Sequence, residues 1–155
     1  MTRYPVPPFS YDDVAQKVCM AENAWNGRDP TKVTLGYTPD TMWRNRSEFL
    51  KGSAEVEAFL FKKWAIENGY QLIKEIWTHG DAKIAVRFCY KYHDASGQWF
   101  RAYGNENWLF DADGYVAKRH ASINDLLILD AERLFHWDAP GPRPDEHPGL
   151  TALGL

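Results

Sequence analysis

The chain has 155 residues, 45% of them apolar and 25% charged, which is the balance of one globular domain and excludes a disordered tail. A formal net charge of −3 argues against nucleic acid or an anionic membrane as the main partner. Aromatics reach 15%, more flat, bulky surface than a minimal core needs, and so point to a pocket or a large interface.

Ser10 and Asp13 have the S-x-x-D spacing of a capping box. A helix is therefore expected from Ser10, with Val14, Val18, Ala21 and Trp25 at helical spacing and Gly27 as its stop. Asp29-Pro30 is a cap followed by proline at the first helical position, which predicts a short second helix to about Gly36. Asp40 to Phe49 reads as a strand with a turn to Gly52. Ser53 is the expected cap of a third helix, with Val56, Phe59, Leu60, Lys63 and Trp64 on one side and Asn68-Gly69 at its end.

From Tyr70 the period changes to two. Tyr70–His79 reads as one strand, and in the next Ile84, Val86, Phe88, Tyr90 and Tyr92 alternate with Ala85, Arg87, Cys89 and Lys91. Trp99–Phe110 is a long strand, and the tight turn Asp111–Gly114 leads into Tyr115–Ile123. Three helical segments followed by an antiparallel meander give an α+β layer fold. Asp130 caps one last helical turn through Phe135, after which Pro140, Pro142, Pro144 and Pro148 predict extended chain laid over a surface.

This order of elements, with Tyr37-Thr38-Pro39-Asp40 before the first strand and a D-x-D-G turn in the meander, resembles the nuclear-transport-factor-2-like (SnoaL-like) superfamily. The resemblance covers about residues 9–125, leaving 126–155 as an extension of a single domain. Trp43-Arg44-Asn45-Arg46, Gly97-Gln98-Trp99-Phe100, Tyr103-Gly104-Asn105-Glu106-Asn107-Trp108 and Ala121-Ser122-Ile123-Asn124-Asp125 look like a narrower, uncharacterised microbial family within it. What the resemblance implies is a cone: a strongly curved antiparallel sheet wrapped around about three N-terminal helical segments. A pocket on the concave side and dimerisation through the convex side are implied with it. The superfamily holds isomerases, dehydratases, cyclases and non-catalytic adaptors, so the fold does not decide function.

If the apolar face of the middle strand covers the helices, Phe100, Ala102, Gly104, Glu106, Trp108 and Phe110 face inward in the next strand. In the last strand the inward set is Tyr115, Ala117, Arg119, Ala121 and Ile123. Glu106 and Arg119 are then opposite charges on apolar faces, and burial of a charge is costly unless it is paired. A structural ion pair and the floor of a ligand site are both open. The opposite face carries Arg87, Lys91, Arg101, Tyr103, Asn105, Asn107, Lys118, His120 and Ser122. A solvated face would look much the same, but the density of Tyr, Asn, Arg and His favours a homodimer interface.

Among the superfamily's site types, the ketosteroid isomerases use a carboxylate base five residues after an aspartate resembling Asp40. They add a buried acid in a strand ending like Trp108-Leu109-Phe110 and a tyrosine on the first helix. Those positions fall here on Asn45, Glu106 and Ala21. An amide is no base at neutral pH and alanine has no hydroxyl, so the isomerase mechanism is not expected, although Glu106 keeps its carboxylate and Tyr37 resembles a pocket tyrosine of that group.

The expected ligand site is a cavity walled by Trp25, Tyr37, Trp43, Phe59, Trp64, Phe88, Tyr90 and Trp108, with Asn45, Glu106 and Arg119 as polar anchors. No metal or cofactor is expected, since the five histidines and two cysteines have no ligand spacing and no phosphate loop or dinucleotide fingerprint occurs. Two cysteines also make a disulfide scaffold untenable, and no apolar run reaches the ~20 residues of a membrane span. With no signal-peptide core in MTRYPVPPF, a cytoplasmic location is expected. Two functions follow. One is a small-molecule-binding domain, including a cofactor-free enzyme of proton transfer, dehydration or hydrolysis with Glu106 as acid or base. The other is a non-catalytic dimeric module whose aromatics fill the cone around a structural Glu106–Arg119 pair.

Overall fold

Helix α1 (Tyr11–Asn26) starts where the capping box closes, with the Asp13 N–H donating to Ser10 Oγ at 3.2 Å and the Ser10 N–H to Asp13 Oδ2 at 2.8 Å. Helix α2 (Pro30–Thr34) starts on the Asp29 cap as expected. The computed structural model describes residues 1–138 and 140–155. In place of one strand over 40–49 there is a hairpin. Strand β1 (Tyr37–Asn45) turns at Arg46, which sits at φ +58°, into β2 (Glu48–Lys51). Ser53 does not cap helix α3 (Ser53–Ile66). Gly52 does, at a φ of +83° that suits glycine, and Glu55 reaches back to accept the Lys51 N–H at 2.7 Å. Asn68-Gly69, expected to end that helix, instead opens a strand.

The sheet continues with β3 (Asn68–His79), β4 (Lys83–His93), β5 (Trp99–Phe110) and β6 (Val116–Ile128), in the order β2-β1-β6-β5-β4-β3. It is an open, mixed sheet rather than a purely antiparallel one, because β1 runs parallel to β6 while every other pair is antiparallel. The concave face closes over α1 and α3, and the main core lies between them around Val14, Trp25, Trp43, Leu60, Leu72, Phe88 and Trp108. This is the α+β cone expected. Among the described residues, no helix is long and apolar enough to cross a membrane.

Beyond β6, the described residues form a 3-10 turn, Asp130–Glu132, and the short helix α4 (Leu150–Leu153), and they pack on the convex face. The last helical turn expected through Phe135 is therefore cut to three residues. Phe135, Trp137 and Leu150 bury themselves against Ile73 and Cys89, forming a second core on the outside of the sheet. Polar anchors fix this segment: Gln71 Nε2 donates to the Trp137 carbonyl at 2.6 Å, and Arg87 Nη1 to a Leu155 oxygen at 2.6 Å. Lys91 and Arg101 are buried under it, Lys91 donating to the Gly69 carbonyl and Arg101 to that of Glu132. Part of the outer face expected as a homodimer interface, around Arg87, Lys91 and Arg101, is thus occupied by the chain's own C-terminal segment. Asn105, Asn107, Lys118, His120 and Ser122 stay exposed.

Candidate functional site

Period two along β5 and β6 turns Glu106 and Arg119 inward, and both are buried, at 1% and 2% exposure. Arg119 Nε donates to Glu106 Oε2 at 2.7 Å, while Arg119 Nη1 donates to Asn45 Oδ1 at 3.1 Å. The pair has a third member that the sequence reading missed. Lys74 of β3 is buried and donates its ammonium to Glu106 Oε1. Its signal was available, because Tyr70, Leu72, Lys74 and Ile76 share the inward parity in β3.

This chain of Lys74, Glu106, Arg119 and Asn45 is boxed by aromatic rings. Lys74 Nζ lies 4.5 Å from the Phe88 centroid and 5.5 Å from that of Trp108, and the Arg119 guanidinium lies 4.5 Å from Trp43. Burial alone would raise the Glu106 pKa, but the cations of Lys74 and Arg119 outweigh it and hold the carboxyl below its ordinary range. A carboxylate so held is a weak proton acceptor, and its evident work is to neutralise two buried cations.

The expected aromatic walls are mostly a packed column. Trp25 stacks on Trp43 at 5.9 Å, Tyr37 tilts against Trp43 at 4.9 Å, and Trp64 meets Trp25 edge-on at 5.8 Å. Trp25, Tyr37 and Trp108 border a cavity of only about 40 Å³, beside Lys17. That is far below the roughly 300–1,000 Å³ typical of ligand sites, so these aromatics fill the cone's interior and leave room for little more than a water molecule.

A larger opening, about 500 Å³, lies between the β1–β2 hairpin and α3. Of the expected site residues it gathers Asn45, Phe59 and Tyr90, and it adds Leu50, Lys63 and Glu67. Asn45 stands at its back and links it to the buried ionic chain through Arg119. Arg46, at the turn, closes one side by pairing with Asp125 at 2.7 Å, while Arg44 leans outward to Ser122 Oγ at 3.2 Å. Lys63 in the last turn of α3 and Glu67 just beyond its end pair at 2.5 Å, with side chains only 9% and 11% exposed. Burial lowers the Lys63 pKa and raises that of Glu67, in each case against the pull of the partner. The four-residue spacing of Lys63 and Glu67 is the sequence signal for this pair.

A further groove of about 590 Å³ runs over the outer face past His79, Lys118 and His120, away from the buried chain.

Solved structures with the same fold fit this geometry. A nuclear-transport-factor-2-like protein of unknown function from Burkholderia pseudomallei is 17% identical and superposes with a TM-score of 0.62 over 72% of this chain and 91% of its own. AclR from Streptomyces galilaeus is 19% identical, with a TM-score of 0.61 over 94% of this chain and 98% of its own. A SnoaL-like protein from Shewanella denitrificans is 13% identical, with a TM-score of 0.60 over 72% and 90%. At such identities the likeness speaks for the fold. No curated protein matches the sequence. The fold is thus the nuclear-transport-factor-2-like cone, and with residues 7–136 matching the family described as "Protein of unknown function (DUF1348)", the chain belongs to that family.

Proposed function

We propose that this domain binds a small molecule in the cleft between the β1–β2 hairpin and α3. The observation that carries this is the meeting at Asn45 of an opening of about 500 Å³ and the buried Arg119–Glu106–Lys74 chain. Asn45 Oδ1 is taken by Arg119, which leaves the amide nitrogen as a donor for a ligand. Leu50, Phe59 and Tyr90 offer apolar contact around it, and Lys63 and Glu67 place a positive and a negative group on one wall. Arg46, Ser47, Glu48, Glu55 and Lys62 also line the opening, so the cleft joins a small apolar patch to charged walls. Within this reading Glu106 serves as the electrostatic anchor that orients Arg119 and Asn45, in place of the acid–base role first assigned to it. Any chemistry in the cleft then falls to the groups that line it.

A thermal-shift screen of small aromatic and carbonyl compounds tests the proposal. Ala58 lies on the exposed side of α3 and borders the cleft, so Ala58→Trp fills the opening without touching the core. Compounds that stabilise the wild type should lose their effect in Ala58→Trp, and equal stabilisation of both would overturn the site.

A homodimer is the second part of the proposal. The outer strip of β5 and β6 stays exposed and carries Asn105, Asn107, Lys118, His120 and Ser122, whereas β3 and β4 are covered. A second copy would pack through that strip, and light scattering should read about twice 17.9 kDa. A monomer at tens of micromolar would remove it.

A further inference from the structure

We propose that Lys63, with Glu67 as its proton carrier, is a carbonyl-capturing amine that joins aldehyde ligands as a Schiff base. This rests on the cleft being the ligand site and names the ligand class it would take. Lys63 Nζ borders the cleft, 4.2 Å from the Tyr90 ring centroid and 5.0 Å from that of Tyr70, with Glu67 as its carboxylate partner. Surface lysines are solvated ammonium ions, whereas this one is nine-tenths out of water on an aromatic wall. A desolvated lysine is the usual form of an imine-forming amine, and burial here favours its neutral form in the same direction.

The chemistry balances within the pair. Glu67 takes one proton from the Lys63 ammonium, and the freed nitrogen lone pair attacks the carbonyl carbon. The C=O π pair goes to oxygen, which Glu67 protonates. A second N–H proton passes through Glu67 to the hydroxyl, which leaves as water while nitrogen forms the C=N bond. The product is an iminium cation. Its single positive charge sits where the ammonium was, beside Glu67 and over Tyr90, so no net charge is added to a partly buried place. The other charged groups around the pair are Arg46 of the turn and Asp125 of β6, which pair with each other, and Arg119 behind Asn45. Tyr70 and Tyr90 are held neutral by burial. Lys62 is the adjacent exposed lysine on the same rim and provides an internal reference.

The test uses the full chain, salicylaldehyde at neutral pH and cyanoborohydride, which reduces an imine to a stable secondary amine. Peptide mass spectrometry then ranks the lysines. Lys63 should be modified at least about tenfold faster than Lys62, the contrast expected between a desolvated amine beside a carboxylate and an exposed, hydrated one. Lys63→Arg should fold and lose the adduct, and Glu67→Gln should slow capture at Lys63 while leaving Lys62 unchanged. If salicylaldehyde shifts the NMR signals of Asn45 and Tyr90 but Lys63 reacts no faster than Lys62, capture is wrong and the cleft reading survives. If those signals do not move and Lys63 stays unmodified, both fail.

Discussion

Asn45 and Glu106 both accept from one guanidinium: Arg119 gives Nε to Glu106 at 2.7 Å and Nη1 to Asn45 at 3.1 Å. The sealed centre of the cone is thereby tied to a polar side chain that lines the open cleft. Residues that carry no ligand can still set the geometry of those that do.

Removing one member of this chain strands a buried charge. Glu106→Gln, or Arg119→Met, should each cost about 3–5 kcal/mol in denaturant unfolding. A Glu106→Leu, Arg119→Met double variant should not recover, because Lys74 is then left uncompensated. Recovery requires Lys74→Met as well, and a double variant as stable as the wild type would show that Lys74 is not part of the chain.

The same chain sets an acid limit. Glu106 has a folded pKa below its ordinary 4.5, so it contributes stability above that value and loses it as pH falls through the lowered one. Wild-type stability should therefore fall relative to that of the triple apolar variant as the pH drops below about 4.5. A difference that stays flat from neutral pH down to pH 2 would mean that Glu106 is not held ionised.

Gly104 faces Phe88 across β5 and β4, and a Cβ there would enter the Phe88 ring. That ring floors Lys74. Gly104→Ala should destabilise by roughly 1–3 kcal/mol through overpacking, with unchanged thermal stability as the contrary result.

Cys89 lies beneath Phe135, Trp137 and Leu150, and burial pushes its thiol up to about 12, while Cys19 is exposed. Native protein should react with a thiol reagent at Cys19 alone. Trp137→Ala should make Cys89 reactive. Prompt labelling of both thiols in the wild type would mean that the C-terminal segment does not hold the outer face.

The legible parts of this fold were those with local causes. Ser10 with Asp13, and Asp29 with Pro30, announce helix starts because caps act within one turn. Glu106 and Arg119 could be turned inward from alternation alone. The start of α3 was missed because Gly52, through its positive φ, took the place that Ser53 seemed to claim. Whether Trp25, Trp43 and Trp108 wall a cavity or fill it depends on the volume between elements, which no periodicity encodes. The prolines do announce a tail laid over a surface, but which surface is not legible: Phe135, Trp137 and Leu150 are spaced irregularly, and only their packing on Ile73 and Cys89 gives them a partner.

The most direct test of the cleft as a ligand site is an NMR titration of the isotope-labelled chain with the compounds that raise its melting temperature. Perturbations should centre on Asn45, Phe59, Lys63 and Tyr90, and disappear in Ala58→Trp. Perturbations centred instead on His79, Lys118 and His120 of the outer groove would contradict the account.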